Sequence, residues 1–163
     1  MQINEVLANN WRTIDVEYSN FNDVLKDIPS QPGIYKIRTN TTKEILREFG
    51  ARKDPKHYNL RKKVIASDAI PNSIKITQQA NSQYVVYSGH SFSLKQRFRE
   101  HFRGSKGTGC LALFQLEKLR DFKWSFQFIS LNEVAGYNDS KLYRTYLEQH
   151  QRINMEWPIL CSQ

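Results

Sequence analysis

Apolar positions along this chain recur with two different periods, and the switches between them mark out the elements. Ile3, Val6 and Leu7 have helical spacing, and Phe21, Val24, Leu25 and Ile28 repeat it, so residues 1–32 read as a helical preface. Pro29 and Pro32 interrupt that pattern, since proline lacks a donor and disfavours helix before it. Gly33 opens GIYKIRT, which sets Ile34, Lys36 and Arg38 on one face against Tyr35, Ile37 and Thr39 on the other, as a strand does. Thr41 and Glu44 form a capping box ahead of Ile45, Leu46 and Phe49, and Gly50 suits a helix end, so a helix is expected over 41–50. Residues 66–83, with Pro71 and many Ser, Asn and Gln, read as loop with a short strand at 74–76. YVVYSG (84–89) reads as a strand, followed by a helix beginning near Ser91 or Ser93. At 100° per residue Leu94, Phe98 and Phe102 form the apolar stripe of that helix. Arg97 and His101 fall one turn apart beside the stripe, in a half-buried position.

Residues 110–120, with Leu111, Leu113, Phe114, Leu116 and Leu119, suggest another helix. From 122 to 131 the chain alternates Phe122, Trp124, Phe126 and Phe128 with Lys123, Ser125 and Gln127, a half-buried strand. Asp139 or Ser140 then caps a last helix, KLYRTYLEQHQRI, which Pro158 keeps from extending further. The order is strand, insertion, strand, helix, helix, strand, helix, with no βαβ crossover between the first two strands. An α+β fold is expected, with a small antiparallel or mixed three-stranded sheet flanked by helices, in one domain carrying a 38–83 insertion.

Charge adds the first hint of a partner. The 163 residues hold 24 Lys and Arg against 16 Asp and Glu, a net +8. That balance favours a polyanion, nucleic acid before membrane. The basic residues cluster in ARKDPKHYNLRKKV (51–64), which suits either a solvated loop or a phosphate-contacting one. Two cysteines, Cys110 and Cys161, have no metal-type spacing and suggest a reducing compartment. MQINEVLANN has neither the basic start nor the apolar centre of a signal peptide, and no run approaches the roughly 20 apolar residues of a membrane span. A cytoplasmic location is the expectation. GSKGTG (104–109) lacks P-loop spacing and reads as a plain loop, and His57, His90 and His150 lack the spacing of a zinc site.

Four short motifs then line up. GIYKI (33–37), YSG (87–89), Arg97 with His101, and Leu147-Glu148 followed by Pro158 resemble, in order, the motifs of the GIY-YIG endonuclease superfamily. Arg97 lies ten residues beyond Tyr87 and His101 four beyond Arg97, as in that family, and Ser88 replaces the isoleucine of its second tripeptide. The resemblance covers residues 33–39 and 84–161. Two features depart from it: residues 38–83 stand where the family has a short hairpin, and Cys161 stands where its late Asn is expected.

The resemblance implies hydrolysis of DNA phosphodiesters with one divalent cation, Mg²⁺ or, in its place, Mn²⁺, held by Glu148. Tyr35 or Tyr87 would orient or deprotonate the attacking water, Arg97 would clamp the phosphate, and His101 would relay a proton from the tyrosine or hydrogen-bond to it. Cations nearby are expected to lower the phenol pKa. The residues alone also fit plainer roles, with the tyrosines as packed strand aromatics and Glu148 as a solvent-facing helix residue. On a helical wheel Glu148 points away from Leu142, Tyr146 and Ile153. Glu133 and Glu117 are the fallback carboxylates. Arg52, Lys53, Lys56, Arg61, Lys62 and Lys63 of the insertion, and Lys95, Arg99 and Arg103 of the helix, are the expected DNA contacts, mostly to phosphates. Double-stranded DNA is the expected partner, with RNA left open. A small restriction-type enzyme that draws specificity from the insertion, the preface and a homodimer is the first expectation. A repair or mobile-element nuclease, or a non-cleaving nucleic-acid-binding module, is the alternative.

Overall fold

The computed structural model describes residues 2–161. Its centre is an antiparallel sheet of four strands, β1 (Arg12–Val16), β2 (Gly33–Thr39), β3 (Tyr84–Ser91) and β4 (Trp124–Ser130), in the order β1-β4-β2-β3. Six helices surround it: α1 (Ile3–Asn9), α2 (Phe21–Asp27), α3 (Lys43–Arg47), α4 (Leu60–Ser67), α5 (Leu94–Phe102) and α6 (Lys141–Met155). The fold is α+β as expected, but the sheet has one strand more than the sequence pattern predicts. The extra strand is β1, inside the stretch read as helical. It pairs with β4, with Ile14 opposite Phe126 and Val16 opposite Trp124. Only Val16 of β1 is buried, so the strand leaves almost no alternation to read.

Strand β2 is central, with β3 on one side and β4 on the other. Because side chains alternate across a sheet, its neighbours Ile34 and Tyr35 serve two different cores. Tyr35 and Ile37 join Phe126, Phe128 and the Leu94, Phe98 and Phe102 stripe of α5 in the larger one. Ile34 packs with Ile129, Leu131, Val6, Leu7 and Leu147, beneath α1 and α6.

The insertion is part of the larger core. Leu46, Leu60 and Val64, from α3 and α4, are fully buried there. Thr42, one residue after the expected capping position, accepts from the Ile45 N–H, and the helix it starts is a single short turn. The expected strand at 74–76 shrinks to one parallel bridge between Lys75 and Trp157, in which the Ile76 N–H donates to the Trp157 carbonyl and the Trp157 N–H to the Ile74 carbonyl. Residues 110–120 do not form an α-helix. They form two short 3-10 turns, Leu113–Gln115 and Glu117–Asp121, after Ala112 takes a positive φ of 43°. Their leucines are core residues even so, because each turn lays them back on α5 and the sheet.

Helix α6 is capped by Ser140, whose hydroxyl accepts from the Tyr143 N–H. Its amphipathicity is inverted. Leu142 and Ile153 are 82% and 71% exposed, while Arg144, Leu147, Gln151 and Arg152 are buried. No helix among the described residues is long and apolar enough to cross a membrane.

Candidate active site

Tyr35 sits in the middle of β2, directly opposite Gly89 of β3. Its ring passes over that glycine, where a Cβ would lie 2.7 Å from Tyr35 Cζ and closer still to the hydroxyl. Glycine is needed here for space, since its backbone is that of an ordinary strand. The cleared path lets Tyr35 Oη reach His101 Nε2 at 2.8 Å. On the other side of the imidazole the Leu111 N–H donates to Nδ1 at 3.2 Å. Nδ1 is therefore the accepting nitrogen, and the ring hydrogen rests on Nε2, which donates to the phenol. Burial first, and then the charge of Arg97, hold the His101 pKa well below the usual histidine range. His101 is a neutral donor that orients Tyr35.

Arg97, one turn before His101 on α5, is held at all three guanidinium nitrogens. Nε donates to Tyr35 Oη at 3.3 Å, Nη1 to Glu100 at 2.7 Å and to the Gly109 carbonyl at 2.8 Å, and Nη2 to Tyr58 Oη at 3.2 Å. The helix flank expected to be half-buried is deeper than that: His101 is fully enclosed and only 18% of the Arg97 side chain is exposed. The Leu94, Phe98 and Phe102 stripe buries one side of α5, and the 105–112 loop closes over the other.

Tyr87 lies near both groups, with its ring centroid 4.8 Å from that of His101 and 6.3 Å from that of Tyr35. Both phenols titrate above their ordinary value. Burial is the main cause at each, and Arg97 pulls the other way without overcoming it. The expected lowering by nearby cations does not prevail, because a buried phenolate loses more hydration than one guanidinium restores.

Glu148 comes from α6. The wheel places it on the solvent side, but only 12% of its side chain is exposed. The wheel fails because it assumes that the apolar face of a helix points inward, and on α6 that face points out. Arg152, one turn on, meets Glu148 Oε1 at 2.9 Å. The His90 backbone N–H of β3 donates to the carboxylate, and its ring Nε2 lies 3.7 Å from Oε2. Burial raises the Glu148 pKa, against the pull of Arg152, that N–H and Arg97. Burial and the surrounding cations take His90 down to about 4, so its ring adds no charge to offset the carboxylate. Glu148 in turn raises the pKa of Tyr35, so one electrostatic neighbourhood holds Tyr35, Arg97 and Glu148.

Ser88, at the position where the resemblance expects isoleucine, has polar partners of its own. Arg152 Nε donates to Ser88 Oγ at 3.1 Å and its Nη2 to the Ser88 carbonyl, while Cys161 Sγ accepts from the Ser88 N–H at 3.2 Å. An isoleucine at 88 would leave the buried Arg152 short of an acceptor. Cys161, in the place of the expected Asn, thus lies against β3 in a thiol whose pKa is raised by burial.

Among the described residues no three His, Cys, Asp or Glu side chains converge as metal ligands. A divalent cation here would rest on Glu148 alone, with water and phosphate oxygens completing its shell. A single hard carboxylate suits magnesium, which keeps most of its waters. Glu148 is short of compensating charge, which fits a cation. The fallbacks lie elsewhere, with Glu117 exposed and Glu133 paired to Arg12 at the surface.

The expected DNA contacts divide in two. Lys53, Lys56, Arg61, Lys62, Arg99 and Arg103 are exposed and Lys95 is partly so. Arg61 also donates to the Arg47 and Glu48 carbonyls at the end of α3, and Arg103 to Asn22. Arg52 is turned inward, with its guanidinium donating to the carbonyls of Tyr58, Leu111 and Ala112. Lys63 lies with its ammonium 4.4 Å over the Tyr58 ring, at the site itself. Lys53, Lys56 and His57 line a groove of about 550 Å³ with Lys106 of the facing loop.

Sequence reasoning missed Tyr58, Glu100, His90 and Arg152. The pairs Arg97 with Glu100 and Glu148 with Arg152 stand at the i, i+3 and i, i+4 spacings of helix-surface partners, a signal that was present in the sequence. Tyr58 left none. No protein-family model, curated protein or solved structure matches this chain.

Proposed function

We propose that this protein is a metal-dependent DNA endonuclease with a GIY-YIG type of site, and within that class a small restriction-type enzyme. One observation carries the reading. Tyr35, Tyr87, Arg97, His101 and Glu148, drawn from β2, β3, α5 and α6, meet in one electrostatic neighbourhood although up to 113 positions separate them.

Hydrolysis of a phosphodiester needs a positioned water, a cation on the phosphate and a means of stabilising charge on the departing oxygen. Glu148 would hold Mg²⁺ or Mn²⁺, which would supply a Lewis acid for the phosphate. Arg97, held at its Nε and Nη1 by Tyr35, Glu100 and Gly109, presents a fixed guanidinium edge to the phosphate oxygens, so little ordering is left to be done on binding. Tyr35 Oη already receives hydrogens from His101 and Arg97, and with its raised pKa it holds its own proton at neutral pH. Its role on this reading is to orient the water. His101 fixes the phenol and carries no charge.

The groove lined by Lys53, Lys56 and Lys106, with Arg61, Lys62, Lys95, Arg99 and Arg103, supplies the positive surface along which the DNA backbone runs, and affinity falls steeply with salt. The test is incubation of the purified protein with plasmid and mixed-sequence DNA in Mg²⁺ or Mn²⁺, beside Glu148→Ala. Discrete metal-dependent fragments that disappear in the variant are expected. Binding without cutting under every metal and substrate, RNA included, refutes the nuclease reading, and cutting that survives in Glu148→Ala refutes the role of that carboxylate.

A further inference from the structure

The insertion between the two tyrosine strands meets Arg97 through one hydroxyl, that of Tyr58. A guanidinium carries five N–H bonds. Arg97 spends one at Nε on Tyr35, two at Nη1 on Glu100 and Gly109, and one at Nη2 on Tyr58. Among the described residues the second Nη2 hydrogen has no acceptor. An anion that approaches Arg97 must therefore meet it along the Nη2 edge, where Tyr58 Oη stands 3.2 Å away. Arg97 can only donate, so it uses a lone pair of that phenol, and the Tyr58 hydrogen is left for a second acceptor.

The hydroxyl is held in place from several sides. The Tyr58 N–H donates to the Cys110 carbonyl at 2.8 Å, and Arg52 holds the Tyr58 carbonyl at 3.1 Å. Gly109 lets the ring in, since a Cβ there would lie 3.2 Å from Tyr58 Cε1. The loop before Tyr58 is clasped to the 105–110 loop. Asp54 accepts from the Gly107 N–H at 2.7 Å, and His57 Nε2 is 3.1 Å from the Ser105 carbonyl. The Lys63 ammonium, over the Tyr58 ring, adds positive charge that also acts on His101. A phenol fixed in this way, beside an unspent guanidinium hydrogen, is a preorganised pair of donors.

We propose that Tyr58, supplied by the insertion, is a phosphate-binding residue of this site, its hydroxyl and the remaining Arg97 Nη2–H donating together to the oxygens of one phosphodiester. The proposal rests on the nuclease reading for the identity of that phosphate as the scissile one. It requires only a bound nucleic-acid phosphate for the contact itself.

Tyr58→Phe tests it, because the ring, its packing on Gly109 and Tyr87 and its contact with Lys63 remain while the donor is lost. Three quantities are compared with the wild type: Tm, the Kd for a short fluorescent DNA duplex in EDTA, and kcat and KM for cleavage in Mg²⁺. With Tm within about 2 °C of the wild type, the variant is expected to bind the duplex about 3–10-fold more weakly. It is expected to lose about 10–100-fold in kcat, somewhat less than the loss of a single oxyanion donor elsewhere. Loss in either quantity with Tm intact supports the contact. Wild-type Kd and kcat in the variant overturn it, as does a loss that appears only together with a fallen Tm. If the wild type cuts nothing, the nuclease reading has failed. The Kd comparison then decides Tyr58 by itself: weaker binding sustains the phosphate contact, and equal binding ends it.

Discussion

At Gly89 the presence or absence of one methyl group governs whether Tyr35 can reach His101. An added Cβ would overlap the phenol, and the neighbours of that phenol give it no room to move: Tyr35 is 1% exposed and its ring stacks on Phe126 at 5.4 Å. Gly89→Ala is expected to cost about 1–3 kcal/mol of stability, as overpacking does. On the proposed function it also lowers cleavage at least about 100-fold, the scale of a misplacement near 1 Å. Urea denaturation and a cleavage assay check both numbers. A variant that keeps wild-type activity would show that Tyr35 need not stay where β2 puts it. Within the same site the polarity of Ser88 follows from Arg152, and the neutrality of His101 follows from Leu111 and burial. Each of these is a residue-level consequence of a partner distant in sequence.

Among the elements, the insertion contributes cations of two kinds that composition cannot tell apart. Arg52 donates to three carbonyls and joins residues 52–58 to the 111–112 segment, whereas Lys53 and Lys56 lie exposed on the groove. Arg52→Ala is therefore expected to lower stability by about 2–3 kcal/mol, since it strips a partly buried charged donor from carbonyls it satisfies. Lys53→Ala combined with Lys56→Ala is expected to leave Tm unchanged, to weaken DNA binding, and to make the slope of log K against log salt shallower by about 2. Denaturation curves and binding isotherms at several salt concentrations separate the two effects. An unchanged salt slope in the double variant would remove this groove from the DNA path. Helix α6 shows the same lesson in another form. Its buried face carries Arg144, Gln151 and Arg152 around Leu147, and the two arginines find partners in Asp139 and in Ser88 on β3. The hydrophobic pattern of the helix by itself points the wrong way.

For the whole molecule, buried histidines give stability a dependence on pH with a definite sign. His101 lies well below 6.5 in the folded protein and His90 at about 4. As pH falls below 6.5 the unfolded chain takes up protons that these folded residues refuse, so stability drops on acidification through that window. Asp54, Asp68 and Asp139, held below their ordinary 3.8 mainly by hydrogen bonds, act in the same direction only at lower pH, while the raised Glu148 opposes them. Between pH 7 and 5 the histidines dominate, and Tm is expected to fall by about 3–6 °C. His90→Asn should make that slope shallower. Calorimetry across the range checks it, and a variant as acid-sensitive as the wild type would mean that His90 does not carry this dependence.

The amino-acid pattern alone determined the strand and helix of 84–102, the aromatic strand β4, a cap at 139 or 140 and the leucines of 111–119 as core residues, because these depend on periods and caps spanning a few neighbours. The placement of Arg97 beside His101 was legible for the same reason, four residues being one turn. Tertiary structure decided what depends on partners far along the chain. Strand β1 exists because β4 offers it an edge, and the 110–120 leucines are buried without an α-helix because α5 and the sheet receive them. Glu148 faces inward toward Arg152 and the His90 N–H, which offset part of the cost of burying its charge. Tyr58 enters the site across 39 positions to meet Arg97, in a loop clasped to the distant 105–110 loop. A local period records which side chains avoid water. It does not record which buried polar groups will find one another, and the candidate site is made of such groups.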